Sequence, residues 1–170
     1  MKLEHTRLPS ETELEAAEIG CLGEVLFTSR RQPPDPIPDL LREFSEEKAP
    51  ESIDIEDTNV TAFEESDRFF RFESSGEKLR WEPDAICRVW FSPTHKMREQ
   101  ADQPLPMNWD IEFPTEIKTG PHATTRNDQR EVMNLLCAQT AYQPMLVRLS
   151  IDDLPVSYDI ISVEFIGLED

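Results

Sequence analysis

Three histidines, His5, His95 and His122, are the first candidates for chemistry. No two of them stand two to five positions apart, so their spacing offers no metal-binding pair. His95 and His122 lie in polar stretches, SPTHK and GPHATT, where a solvated loop histidine is the ordinary outcome. Brought together in space and joined by Asp84 or Glu99, they could do acid–base work. Cys87 beside a histidine would make a nucleophilic dyad. Its parity with Val89 and Phe91 instead places the thiol in the core. No GxSxG, GxGxxG, HExxH or phosphate-loop pattern occurs, and the five glycines are too dispersed to cradle a phosphate. On these residues no catalytic group, metal or cofactor is expected.

Carboxylates are abundant. Glu46-Glu47, Asp54-Glu56-Asp57, Glu64-Glu65 and Asp152-Asp153 form acidic runs. None has the oxygen-rich loop with a glycine turn and closing glutamate that Ca²⁺ needs. Their surroundings are too polar to split the pKa values of a carboxylate pair, so they read as solvated faces. The net charge is −18, and it is uneven. Residues 1–66 hold 17 acids and 6 bases, residues 67–150 hold 12 and 11, and residues 151–170 hold 6 acids and no base. Such a chain should be repelled by nucleic acid and anionic membranes and drawn to a basic protein. The exception is a cationic strip, Arg71, Arg80 and Arg88, which could align across neighbouring strands or pair with Glu73, Glu77 and Glu82.

These features favour a non-enzymatic acidic interaction module, an inhibitor, immunity-type protein or nucleic-acid mimic that covers a basic groove. The contact residues expected are Glu46, Glu47, Asp54, Glu56, Asp57, Glu64, Glu65, Asp152 and Asp153. One alternative is a structural or adaptor subunit of a larger assembly. A further alternative is an enzyme without a short motif that uses His95 or His122.

The elements that position these residues read as one α+β domain over 1–170, with a mainly antiparallel sheet. Two helices come first. Ser10 and Glu13 form a capping box opening a helix to about Gly20 or Gly23, and Glu24–Thr28 follows as a short strand. Residues 31–38 are a proline-rich connector, stiff and extended, and a possible docking strip. Ile37, Leu40, Leu41 and Phe44 share one face of the second helix. Within the acidic segment 45–67, Ile53 and Ile55 suggest an edge strand.

From Asp67 to Phe91 three apolar-rich runs are split by Ser74-Ser75-Gly76 and Pro83-Asp84, which predicts a three-stranded meander. Residues 92–106 read as an exposed loop, 107–113 as a strand stopped by Pro114, and 114–127 as another loop. A helix then spans about 128–142, burying Val132, Leu135 and Leu136. Met145, Val147, Leu149 and Ile151 share one strand face, and Ile161, Val163 and Phe165 another. The odd cysteine count without a CxxC pair predicts buried free thiols in a reducing, cytoplasmic setting. No apolar run has the length of a signal peptide or a membrane span.

Overall fold

The computed structural model describes residues 16–29, 31–63, 68–120, 123–151 and 158–167. Two helices, α1 (Ala16–Thr28) and α2 (Ile37–Glu46), precede β1 (Asn59–Phe63). A hairpin of β2 (Phe70–Ser74) and β3 (Glu77–Trp81) leads into β4 (Ala85–Phe91). A short α3 (His95–Gln100), a long β5 (Trp109–Thr119), α4 (Asn127–Gln139), β6 (Met145–Ser150) and β7 (Asp159–Phe165) complete the order. The main sheet runs β1-β4-β5-β6-β7, and β2-β3 stands apart as a two-stranded sheet.

The α+β class expected from the sequence is what forms, but the sheet is mixed. β5 and β6 pair in parallel, from Thr115↔Met145 to Thr119↔Leu149, while every other pairing is antiparallel. A parallel neighbour requires a crossover, and α4 supplies it. The three-stranded meander does not form either. Ser75 (φ 52) and Gly76 (φ 81) close a tight β2–β3 hairpin. Pro83 then ends the ladder, and β4 turns away to pair with β1 and β5. β4 is buried on both faces apart from the half-buried Arg88 and Trp90, because it lies inside the sheet between β1 and β5.

Two apolar clusters separate across the sheet. On one face Phe27 of α1 and Ile37 and Leu41 of α2 pack on Cys87, Val89, Ile111, Phe113, Ile117, Met145 and Val147. On the other, Val132, Met133 and Leu136 of α4 pack with Trp81 and Leu146, and the hairpin residues Phe70, Phe72 and Leu79 close over them. The predicted α4 is thus present, ending at Gln139 and burying Met133 in place of Leu135. α2 matches its predicted face, and Phe44 stacks on Phe165 at 4.5 Å and meets Phe113 edge-on at 5.7 Å.

Several local expectations fail for physical reasons. Residues 24–28 are the last turns of α1, not a strand. Gly23 reads as a helix stop, but it is a contact: a Cβ there would lie 2.0 Å from Thr119 Oγ1 of β5. Gly23→Ala is therefore expected to destabilise by about 1–2 kcal/mol, overpacking outweighing the better helix propensity of alanine. In a Thr119→Ala background the same change should become neutral or stabilising. Urea unfolding of the four proteins tests this, and a stabilising Gly23→Ala in the parent chain would refute it.

Ile53 and Ile55 form no edge strand, since residues Ile55–Asp57 make a 3₁₀ turn capped by Asp54, whose Oδ1 accepts from Glu56 N. Within the expected 92–106 loop, Thr94 caps α3 by accepting from Met97 N. In β7 a register shift between Arg148 and Leu149 pairs Ser162 and Ile160 with consecutive residues. The extra residue, Ile161, is left 53% exposed while Ile160 turns inward. Of the thiols only Cys87 is buried, whereas Cys137 is intermediate and Cys21 is exposed. Among the described residues no helix is long and apolar enough to cross a membrane. The proposed Ser10–Glu13 capping box lies outside the described residues.

The largest departure is at Pro114. β5 passes through it and continues for five residues to Thr119. The Glu112 carbonyl accepts from Gln143 N on the β6 side, and alternation turns the nitrogen of Pro114 the same way. Pairing with β6 begins only at Thr115, so the donor that proline lacks has no ladder partner to lose. The added length carries Thr115, Glu116, Ile117 and Lys118 into the centre of the molecule.

Candidate active site

The second half of β5 meets the start of β4 at a cluster of charged groups. Ile117 is in the α1/α2 core, so its neighbours Glu116 and Lys118 point to the opposite face, toward α4 and the hairpin. Glu116 is 2% exposed. A buried carboxylate must be satisfied by hydrogen bonds, and three side chains supply them. Trp81 Nε1, at the end of β3, donates to Oε2 at 2.6 Å. Gln129 Nε2, in the first turn of α4, donates to Oε1 at 2.8 Å. Lys118 Nζ donates to the same Oε1 at 2.5 Å. Gln129 is itself fixed, because its Oε1 accepts from Arg126 N at the helix start.

Asp84 stands one residue before β4, and its Oδ2 accepts from Ile117 N at 2.6 Å. Its carboxyl is pushed from the ordinary 3.8 up to about 7, first by burial and then by the charge of Glu116. Glu24 on α1 adds a smaller push in the same direction, and the Ile117 amide and Lys118 pull the other way. Two carboxylates are thus crowded beside one ammonium. Perturbed acids of this kind concentrate at functional sites.

The hairpin is pinned beside this cluster. Arg68 Nη2 reaches Glu112 Oε2 at 2.7 Å and the Tyr142 hydroxyl at 2.6 Å. Phe70 packs edge-on against Tyr142 at 5.3 Å and lies 5.9 Å from Trp81. These contacts tie β2 and β3 to β5 and to the chain after α4, so the Trp81 indole is held where Glu116 needs it.

Of the residues singled out from sequence, Asp84 belongs to this cluster, though with Glu116 and Lys118 and not with a histidine, and the others described lie elsewhere. His95 is 88% exposed on the side chain and sits 3.4 Å from Glu99 one helical turn on, so it joins neither Cys87 nor Asp84. His5 and His122 fall outside the described residues. Cys87 is a core thiol, pushed by burial up to about 12, and is inert at neutral pH. Glu46 and Glu47 are exposed at the end of α2, and Asp54, Glu56 and Asp57 are exposed around the 3₁₀ turn. Glu64, Glu65, Asp152 and Asp153 fall outside the described residues. The cationic strip does not extend to Arg88, which is in the main sheet and paired with Asp110 at 2.9 Å.

A family model described as a PD-(D/E)XK nuclease superfamily domain matches residues 17–165. Comparison with curated proteins and with solved structures finds no match. The pattern in the family's description is spelled out by this chain as Pro83-Asp84 and Glu116-Ile117-Lys118. The structure brings these residues together; of them the sequence points to Asp84 alone, as a possible partner of a histidine, and leaves Glu116 and Lys118 in a loop. Pro83-Asp84 reads as a turn and Pro114–Asn127 as a loop, and the two halves stand 32 positions apart. The readable signal is a short one, a Pro-Asp opening an apolar strand and, in the next strand, an acid–apolar–lysine triplet. The match overturns the expectation of a non-enzymatic inhibitor or interaction module, and with it the expectation that this is not an enzyme fold. Net charge and the lack of a long motif point away from an enzyme, but the constellation here is three polar side chains, one just before β4 and two on β5. Matched over residues 17–165 and carrying Asp84, Glu116 and Lys118 in one cluster, the chain belongs to the PD-(D/E)XK nuclease superfamily.

Proposed function

We propose that this protein is a nuclease that hydrolyses phosphodiester bonds at Asp84, Glu116 and Lys118. The observation that carries the reading is that Asp84, bonded to the Ile117 amide between the other two, shares one cluster with the Glu116–Lys118 ion pair of β5, in the pattern that names the family. The donor set suits a hard divalent cation such as Mg²⁺. Among the described residues no three His, Cys, Asp or Glu side chains converge, but Mg²⁺ is commonly held by one or two carboxylates together with water and substrate phosphate. The state of Asp84 is the observation that favours a cation: with burial and a second carboxylate holding the acid up to about 7, the single ammonium of Lys118 leaves the pair short of positive charge. When bound there, such an ion polarises the phosphate and lowers the pKa of a water molecule.

The chain's own residues divide the remaining tasks. Trp81 and Gln129 fix the rotamer of Glu116, so its oxygens keep one orientation while substrate arrives. Lys118 places a positive charge where a phosphoryl group approaching the carboxylates would gather negative charge. Asp84, held up to about 7 while no cation balances it, would be drawn to its ionised form by a bound cation and could share in holding one.

The nucleic-acid substrate is contrary to what the net charge suggested, since long-range repulsion slows encounter without preventing local contact. Purified protein incubated with labelled single-stranded DNA, duplex DNA and RNA in Mg²⁺ or Mn²⁺ tests the reading. Cleavage is expected in at least one arm, abolished by chelator and restored by added metal. The reading fails if no arm is cut, or if Glu116→Gln protein cuts as fast as the parent.

A further inference from the structure

The outward face of the β2–β3 hairpin carries a feature that the site itself does not use. The register sets Glu73 opposite Lys78, an ordinary neutralising pair, but sets Arg71 directly opposite Arg80. Like charges facing each other across a ladder are destabilising. Both guanidinium groups converge on one aromatic ring, Phe69, with their carbons 4.2 Å and 4.1 Å from its centroid. The stacking holds the two cations together without neutralising them.

Other cations near the sheet are engaged. Arg68 pairs with Glu112, Arg88 with Asp110, Arg130 with Glu164 and Lys118 with Glu116. Arg80 pairs, among the described residues, with Glu82 alone, at 3.6 Å and with both side chains more than half exposed. Among the described residues no ion pair of Arg71 occurs within 4.0 Å. Two exposed, stacked cations therefore stand side by side on a chain of net charge −18. Arg80 precedes Trp81, whose indole holds Glu116, so its side chain leaves β3 on the opposite, exposed face. Its Cα is four residues from that of Asp84, at most about 14 Å of extended chain.

We infer that Phe69, Arg71 and Arg80 receive the sugar–phosphate backbone of the nucleic-acid substrate within about four nucleotides of the cleaved bond. The inference rests on the nuclease reading and deepens it. A guanidinium stacked on an aromatic ring keeps its edge donors free for bidentate bonds to phosphate, and its pre-set geometry lowers the ordering cost. Two such groups on adjacent strands can grip one phosphate or two successive ones. The hairpin, pinned by Arg68, would then set the path of the strand past Asp84 and Glu116.

Fluorescence anisotropy with a mixed-sequence oligonucleotide of about 20 nucleotides, in a Glu116→Gln background, tests this. At about 0.1 M NaCl, Arg71→Glu/Arg80→Glu should weaken binding by about 10–100-fold. The slope of log affinity against log salt should fall by about 1.4–2, the share of two phosphate contacts. Arg71→Lys/Arg80→Lys keeps the charge but loses the fork and the stack, and should weaken binding by about 3–10-fold. Arg71→Gln/Arg80→Gln, checked by its thermal melt, guards against a folding defect and should show the same fall in slope. The inference is overturned if the charge-reversed protein binds with unchanged affinity and slope. It is also overturned if the Glu116→Gln protein binds no oligonucleotide while the parent cleaves one. Failure of the nuclease reading looks different, since there the parent cuts no nucleic acid in Mg²⁺ or Mn²⁺ at all.

Discussion

Lys118→Met is expected to slow cleavage by about 10³-fold while the protein remains folded. The lysine side chain is 18% exposed, and its ammonium is held 2.5 Å from Glu116 by a strand whose next residue back, Ile117, is core. Methionine keeps the apolar stem and removes only the charge. Losing one preorganised donor from a site where charge develops commonly costs 10²–10³ in rate, and among the described residues the donor is the one cation bonded to Glu116. A stability loss of about 1–3 kcal/mol should accompany it, because Glu116 is left with two neutral donors, Trp81 and Gln129. Lys118 also holds the Asp84 carboxyl down. The residual activity should therefore need a higher pH than the parent's. Initial rates on a labelled oligonucleotide across pH 6–9 provide the check. A variant within tenfold of the parent, with an unshifted profile, would remove Lys118 from the chemistry.

Asp84→Asn is expected to raise the stability of the metal-free protein at pH 8 by about 2–3 kcal/mol, or roughly 5–10 °C in melting temperature, and to abolish cleavage. The sign follows from linkage. The folded-state carboxyl titrates at about 7 and the unfolded one near 3.8. Between these values the native state binds the extra proton, so stability falls as pH rises through this window and is lowest above about 7. Below pH 4 both states are protonated and the penalty vanishes. Asparagine cannot ionise, yet its carbonyl oxygen can still accept from Ile117 N, so the variant escapes the penalty without losing the contact. The advantage should be small at pH 4, grow to pH 7 and then level off. Added Mg²⁺ should narrow it by stabilising the parent alone. Thermal melts at pH 4.5 and 8, with and without Mg²⁺, decide the matter. An advantage that does not depend on pH would sink the account of Asp84. This residue would be one whose stability cost is tolerated because its activity needs the charge.

The legibility of the fold followed the density of apolar pattern. Phe70, Phe72, Leu79 and Trp81 alternate with charged residues, and the hairpin formed as read. Ile37, Leu41 and Phe44 recur at helical spacing, and α2 formed as read. Reading failed where one residue type serves two purposes. Gly23 ends a helix in most contexts, but here it lets α1 approach β5. Pro114 ends a strand in most contexts, but here its missing donor faces a gap in the ladder. Ile161 fits the alternation and is still turned outward by a bulge.

The candidate site fell in the region where such failures accumulated. Glu116 and Lys118 are polar residues in what looked like a loop, and nothing local reveals that Glu116 is buried or that Trp81 and Gln129 bind it. The partners lie 35 and 13 positions away, so their convergence depends on strand order. That order includes a parallel β5–β6 pair joined through α4, which puts the first turn of the helix over the strand.

The sequence by itself determined the elements that bury apolar surface: a hairpin, a central strand, two amphipathic helices, a core thiol and a lopsided acidic charge. It could do so because burial is a periodic demand, and period is local. Only the tertiary structure decided that Asp84, Glu116 and Lys118 share one site. A polar side chain gains its chemistry from what desolvates it and what lies across from it, and both are supplied by strands and helices distant in the chain.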